Sequence, residues 1–402
     1  MTDPTASAGQ NPLANSASRV RRHNRRVLLH ALRVHGPLSR AELARATGLT
    51  PQGVNNIVED LIGSGLVRIA GRRKSPRGQP PIAIEIANDG GYAVGVRVDA
   101  THYHAVAADL GGTLIESEEG TIPVGAVGNW LDFVAGIHAG FAARFGADRC
   151  LGIGLVTPGP FDIDWPGVPT PGAVPALQRR SVAEELAQLT GTDVLLENDA
   201  TAAALGERLY GAGRDFRDFY YLYFGVGLGG SMVHDGAALR GAWGNAGEIG
   251  HMPVMPDGDP CPCGNRGCLE RYVSLEAWER RSRVIGEPAW IAEVAPLFRT
   301  ALVTIENLFD PETIVVGGLA PKRLLQRLAE AAAPLPNSVA ARQDRRAPRI
   351  TLSPVGQDAV LLGAAALAVS GVLSPRFGLM FADGPRRPPH DPLVEAAGAS
   401  PA

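Results

Sequence analysis

The chain has 402 residues, 45% apolar and 20% charged, with a formal net charge of −3. Two or three globular domains suit that length. No run of about 18 apolar residues suggests a membrane span, and residues 1–18 lack the apolar stretch of a secretory signal. The four cysteines are too few for a disulfide framework, which points to the cytosol.

Charge is unevenly spread. Residues 1–87 hold 13 Lys and Arg against 5 Asp and Glu, whereas the remainder holds 25 against 36. A basic head on an acidic body suggests a module for a polyanion joined to one that has no such task. Residues 1–18, rich in Ala, Ser and Asn, are expected to form a disordered tail.

Residues 19–87 are predicted to form the head. A helix is expected over 25–34, with Val27, Leu28, Ala31 and Leu32 on one side. Ser39 and Glu42 form a capping box that opens a short second helix, and Gly48 supplies the turn after it. Thr50-Pro51 opens a third helix, as N-cap residue and first-turn proline. There Val54, Ile57, Val58, Leu61 and Ile62 make a buried stripe, opposite Gln52, Asn55, Asn56, Glu59 and Asp60. A strand, the loop Gly71-Arg72-Arg73-Lys74-Ser75-Pro76-Arg77-Gly78 and an alternating strand complete a winged helix-turn-helix. Gln52, Asn55 and Asn56 suit adenine edges. Arg72, Arg73, Lys74 and Arg77 suit phosphates or a narrow minor groove. Operator DNA is the expected partner. Arg19, Arg21, Arg22, Arg25 and Arg26 either add phosphate contacts or form a solvated run.

From residue 90 to 380, short apolar strands alternate with helical segments. Tyr92–Val98 reads as a strand, residues 104–108 as a second, and Thr113-Leu114-Ile115 as the start of a third. Later come Gly152-Ile153-Gly154-Leu155-Val156 before Thr157-Pro158-Gly159, and Val194-Leu195-Leu196-Glu197-Asn198-Asp199. Tyr220 to Phe224 precedes Gly225-Val226-Gly227, and Thr313 to Val316 precedes Gly317-Gly318. Two Gly-rich strand–turn units far apart suit a duplicated α/β architecture. Residues 383–402, rich in Pro and Ala, are expected to be a loose tail.

Three cysteines and a histidine fall close together in Gly247-Glu248-Ile249-Gly250-His251 and Cys261-Pro262-Cys263-Gly264-Asn265-Arg266-Gly267-Cys268-Leu269-Glu270. His251, Cys261, Cys263 and Cys268 are a complete donor set for a closed, structural Zn²⁺ site within the loop 251–268. A site saturated by protein ligands activates no water. Cys150 stands apart, as a small buried residue.

These segments, in this order, resemble the ROK family of repressors and sugar kinases, over about residues 20–370. The resemblance implies an actin-like, duplicated ribonuclease H-type sugar-kinase fold behind the winged helix-turn-helix. It also implies a sugar pocket lined by Asn198, Asp199, Glu248, His251 and Glu270. Asn198 and Asp199 equally suit a helix start. Where the family commonly places an Asn and a Trp, this chain has Pro171-Gly172-Ala173-Val174-Pro175-Ala176-Leu177.

A kinase of this fold would use Asp199 as base and two phosphate loops. Asp109-Leu110-Gly111-Gly112-Thr113 fits the first loop in letters. With a first strand at Tyr92–Val98, however, it is only the next hairpin turn, and the true loop position is residues 99–103, without glycine. Val226 replaces a hydroxyl residue in the second loop. ATP and Mg²⁺ are therefore not expected. The implied protein is a cytoplasmic sugar-responsive regulator, a homodimer or homotetramer without a membrane segment. An ATP-dependent sugar kinase is the alternative.

Overall fold

The computed structural model describes residues 12–72, 81–99, 101–122, 130–159, 161, 179–340, 342 and 344–374. The head runs α1 (Pro12–His35), β1 (Leu38–Ser39), α2 (Arg40–Thr47), α3 (Pro51–Gly63), β2 (Val67–Arg72) and β3 (Ile82–Ile86). Helix α1 starts at Pro12, so residues 12–18 are helical rather than a loose tail. Pro12 suits the first helical position, and Leu13, Ala14 and Ala17 are strong helix formers. The expected tail residues 1–11 and 383–402 lie outside the described residues.

Local chemistry sets the helix-turn-helix. The Ser39 amide donates to Glu42 Oε2 at 2.8 Å and the Glu42 amide to Ser39 Oγ at 3.3 Å, completing the capping box. Gly48 takes the left-handed conformation that ends α2. Thr50 Oγ1 accepts from the Gly53 amide at 3.1 Å, capping α3. Val54, Ile57, Val58 and Leu61 are buried, while Ile62 is half-buried. Strands β2 and β3 pair antiparallel with β1 on the far side of β3, the sheet of a winged helix.

Two five-stranded sheets form the body. The first is built from β4 (Tyr92–Val98), β5 (His102–Asp109), β6 (Leu114–Thr121), β7 (Cys150–Val156) and β8 (Val194–Glu197), in the order β6-β5-β4-β7-β8. The second has β9 (Phe219–Phe224), β10 (Leu228–His234), β11 (Ala237–Ala238), β12 (Thr313–Gly318) and β13 (Ile350–Leu352), in the order β11-β10-β9-β12-β13. In both, the first three strands form an antiparallel meander and the last two join parallel to the first. The architecture is thus duplicated, as the two strand–turn units implied. Helices α4 (Trp130–Phe145), α5 (Arg179–Thr190), α6 (Asp199–Tyr210), α7 (Leu275–Ile285), α8 (Glu287–Phe309), α9 (Lys322–Ala332) and α10 (Ala359–Leu373) complete it.

Helix α10 corrects one expectation. The window Gly356–Leu373 is long and apolar enough to cross a membrane by composition. It is nevertheless a core helix, buried on nearly every side between the first sheet and α6, as a helix apolar all round must be. Close approach makes this packing possible. A Cβ on Gly154 of β7 would lie 1.8 Å from the Ala364 carbonyl, and one on Gly363 would lie 2.0 Å from the Ala202 carbonyl of α6. Backbone meets backbone there, so no side-chain rotation relieves a clash. Gly363→Leu is expected to destabilise the chain by about 3 kcal/mol or more, read as a lower denaturation midpoint in urea.

Candidate functional site

The loop following β11 carries four donor atoms. The Cys261 amide donates to the Asn265 carbonyl at 2.8 Å and the Gly264 amide to the Cys261 carbonyl at 3.0 Å, folding the Cys-Pro-Cys-Gly segment into a tight turn. Isolated bridges pair Pro253 with Cys268 and Pro260 with Arg266. Cys261 Sγ stands 3.6 Å from His251 Nδ1, and Cys263 Sγ stands 3.7 Å from Cys268 Sγ. All four donor atoms lie within 4.8 Å of one another. A tetrahedron with metal–sulfur bonds of about 2.3 Å has edges of about 3.8 Å, so the residues present fit a tetrahedral structural metal. Burial pushes the Cys261 and Cys268 thiols up, a penalty that a bound cation would reverse.

Against this loop lies a cluster of carboxylates. Asn198 caps α6, its Oδ1 accepting from the Thr201 amide at 2.8 Å. Asp199 Oδ1 accepts from the Ala200 amide at 2.9 Å. The helix-start reading of this pair is thus met, and capping uses only Oδ1 of each side chain. A Cβ on Gly159 would lie 3.3 Å from Asn198 Cβ and 3.9 Å from Glu248 Oε1. The segment after β7, the start of α6 and the Glu248 turn thus meet at one place. Asn245 clamps that meeting point by exchanging two hydrogen bonds with the Phe161 backbone, at 3.1 and 2.9 Å. Glu270 Oε1 lies 3.2 Å from Cys261 Sγ and 3.6 Å from His251 Nδ1, joining the metal loop to the cluster.

Charge crowding marks the cluster. Burial, then Asp199 and then Glu270 push the Glu248 carboxyl up to about 7. Burial also raises Asp199, and Arg97 opposes it. Sequence reading missed Arg97. Its only signal is a lone guanidinium near the end of an otherwise apolar strand.

The two loops that would cradle phosphates are engaged within the chain. Strand β4 does end at Val98, so residues 109–113 are the β5–β6 turn. Asp109 Oδ1 accepts from the Thr113 amide at 2.8 Å, and Gly112 lies under the Tyr210 ring, where a Cβ would come within 2.3 Å. Packing accounts for that glycine. In the turn after β4, Asp99 Oδ1 accepts from the Thr101 and His102 amides at 2.9 and 2.8 Å. With the motif's Thr laid on Thr101, two residues before the 99–103 placement read from the sequence, its Asp falls at Arg97 and its two glycines at Asp99 and Ala100. At the second loop the Gly225 amide donates to the Gly227 carbonyl at 3.0 Å. The Gly225 and Val226 carbonyls accept from the Leu275 and Glu276 amides.

On the head, Gln52, Asn55 and Asn56 are exposed along α3, and Gln52 Nε2 donates to Asn56 Oδ1 at 3.0 Å. The Arg72 backbone pairs with Ile82 at the end of β2. Arg73, Lys74 and Arg77 lie outside the described residues, as does the 171–177 stretch.

A winged helix joined to a body of two like sheets, with a Cys₃His donor set beside a carboxylate cluster, defines a DNA-binding-type head on a sugar-kinase-type body. Residues 93–370 match the ROK family, to which the chain belongs, and residues 26–77 match the MarR family. The chain is 28% identical over 260 residues to the xylose repressor of Bacillus subtilis (strain 168), covering 64% of this chain and 67% of that protein. It is 26% identical over 245 residues to the DNA-binding transcriptional repressor Mlc of Escherichia coli (strain K12), covering 60% of each. A ROK family transcriptional regulator, homologous to the E. coli MLC protein, shares the fold with a TM-score of 0.72 at 22% identity, over 91% of this chain and 100% of its own. The ROK hexokinase of Thermus thermophilus superposes with a TM-score of 0.56 at 31% identity, over 68% of this chain and 97% of its own.

Two outcomes follow from the geometry. Chelation, or Cys263→Ser, is expected to release one metal ion per chain and lower the melting temperature, read by metal analysis and calorimetry. Glu248 titrates near 7 in the fold against an ordinary 4.5. Its stabilising contribution is complete below pH about 4.5 and is lost as pH rises through 7, an effect of at most about 3 kcal/mol. The melting temperature is therefore expected to fall more steeply between pH 5 and 8 in the parent chain than in Glu248→Gln.

Proposed function

We propose that this chain is a sugar-responsive transcriptional regulator, a repressor released from operator DNA when a sugar or sugar derivative enters the cleft. The head supplies α3 for base edges through Gln52, Asn55 and Asn56, and the wing for phosphates through Arg72, Arg73, Lys74 and Arg77. Asn198, Asp199, Glu248, His251 and Glu270 hold the sugar. Carboxylates and amides accept and donate paired hydrogen bonds to vicinal hydroxyls. Zn²⁺, held by His251, Cys261, Cys263 and Cys268, fixes the wall that carries Glu270. The regulator acts in the cytoplasm as a homodimer or homotetramer, so that lobe closure alters the spacing of paired heads. A differential affinity of a few kcal/mol between lobe arrangements is enough to empty an operator.

The observation that carries the regulator over the kinase is the Asp99 carboxylate on the Thr101 and His102 amides. A negative side chain occupies the donors a phosphate would need. Asp199, half-buried at the start of α6, favours the second reading, a sugar kinase with Asp199 as base. A thermal-shift screen of monosaccharides with and without ATP separates them. The regulator shows a sugar-dependent shift that Asp199→Asn abolishes, unchanged by ATP, with no sugar-stimulated ADP. A sugar-dependent ADP release overturns it.

On DNA, Asn55→Ala is expected to cost about 1–3 kcal/mol at the preferred sequence and relax preference there. Arg77→Ala weakens binding to every sequence and lowers the salt slope by about 1. Fluorescence anisotropy across a salt series reads both. Equal loss on all sequences from Asn55→Ala would refute the base-reading role.

A further inference from the structure

A second cavity, of about 330 Å³, lies where the head meets the body. Its walls come from α1 of the head, from α6 and α10, from the segment after α6 and from the β10–β11 turn. Arg33, Arg208, Arg214 and Arg217 line it, against the carboxylates Asp215 and Asp235. Arg217 Nε already pairs with Asp235 Oδ1 at 3.1 Å. The cavity is far from neutral even so, because four guanidinium groups face two carboxylates.

The inner pair of arginines is the anomaly. Arg33 and Arg208 are half-buried, and the Nε of each is buried with no hydrogen-bond partner among the described residues. Neither side chain forms an ion pair among those residues. The Arg208 guanidinium lies against the Asp235-Gly236 turn, where a Cβ on Gly236 would come within 3.3 Å of Nη2. Burial, and then Arg208, pull the Arg33 guanidinium down to about 10. Buried donors without acceptors and like charges held together both cost stability. An anion between the guanidinium groups would relieve both costs. Arg214 and Arg217 are exposed and stand as the outer pair.

We infer that this cavity binds a phosphate group, free or as a small phosphate monoester, clamped between Arg33 of the head and Arg208 and Arg214 of the body. Planar guanidinium forks match phosphate oxygens in pairs. The cavity exceeds what one phosphate fills and reaches the size range of small-metabolite sites. Its walls belong to two domains, so the ligand fastens the DNA-binding head to the effector body. The inference stands independently of the sugar cleft, because none of its residues belongs to that cleft.

The test is calorimetric titration and thermal shift of the full chain with inorganic phosphate and with glucose 6-phosphate, against glucose and against chloride at matched ionic strength. Binding in the millimolar range or tighter is expected, with a rise in melting temperature of about 2 °C or more at saturation. Equal affinity for the two phosphates assigns the free ion, and tenfold tighter binding of the ester assigns a phosphorylated metabolite. Arg33→Gln and Arg208→Gln should abolish the shift. Without phosphate they should melt no lower than the parent chain, since each removes a partly buried charge that burial disfavours. Arg323→Gln, an exposed change of the same charge on α9, should leave the shift intact. A phosphate shift no larger than that of chloride, or one surviving in both Arg33→Gln and Arg208→Gln, overturns the inference.

Discussion

The bare contact of α10 with β7 and α6 is the constraint on which the rest of the fold is built. Gly154 and Gly363 let carbonyl oxygens of neighbouring elements occupy the space of a side chain. An interface made of side chains can adjust by changing rotamers, but one made of backbone moves as a block. The head rests on that block. Arg26 Nε donates to the Gly371 carbonyl at 2.6 Å. Leu28, Leu29 and Leu32 of α1 share one hydrophobic core with Leu361, Val369 and Leu373 of α10 and with Ala93 and Val106 of the first sheet. The connection between β3 and β4 is also short and tied down: the Ala87 amide donates to the Leu66 carbonyl and the Leu110 amide to the Asn88 carbonyl. This head is therefore docked rather than tethered, and its orientation follows the first lobe.

The Cys₃His donor set stands beside a crowded carboxylate cluster for a physical reason. Asp199, Glu248 and Glu270 repel one another, and their crowding costs stability unless something fixes their positions. Each is held by a different element: Asp199 by the start of α6, Glu248 by the turn that Asn245 ties to Phe161, and Glu270 by the segment after Cys268. Arg97 supplies the nearest positive charge on Asp199. Crowded acceptors held apart by rigid supports suit a polyhydroxylated ligand, whose hydroxyls would replace the lost water without adding charge.

What the sequence disclosed and what it hid divide along range of interaction. The capping box at Ser39 and Glu42, the left-handed Gly48, the Thr50 cap and the Cys-x-Cys spacing are written within a few residues, and each forms in the structure as read. The duplication was legible from two Gly-rich strand–turn units far apart, whereas the strand order within each sheet was not. Asp109-Leu110-Gly111-Gly112-Thr113 shows the hazard of letters without register, since only the pairing of β4 with β5 and β7 decides which turn follows the first strand. Arg97, the core role of α10 and the arginines at the head–body junction left little trace, because residues far apart in the chain create each of them.

Helix α6 links these observations physically. It begins at Asn198 and Asp199 in the cleft and ends at Arg208 and Tyr210 beside the junction cavity, a span of 12 residues or about 18 Å. Along its length it is pressed onto α10, and α10 carries α1. A hydrogen-bonded helix of that length transmits displacement without bending, and the Ala202–Gly363 contact leaves no compliant layer to absorb it. Asp199 and Arg208 thus stand on one helix, the first beside the carboxylate cluster and the second beside Arg33 of the head. One helix therefore has an end in each place, a spatial link between the carboxylate cluster and the head.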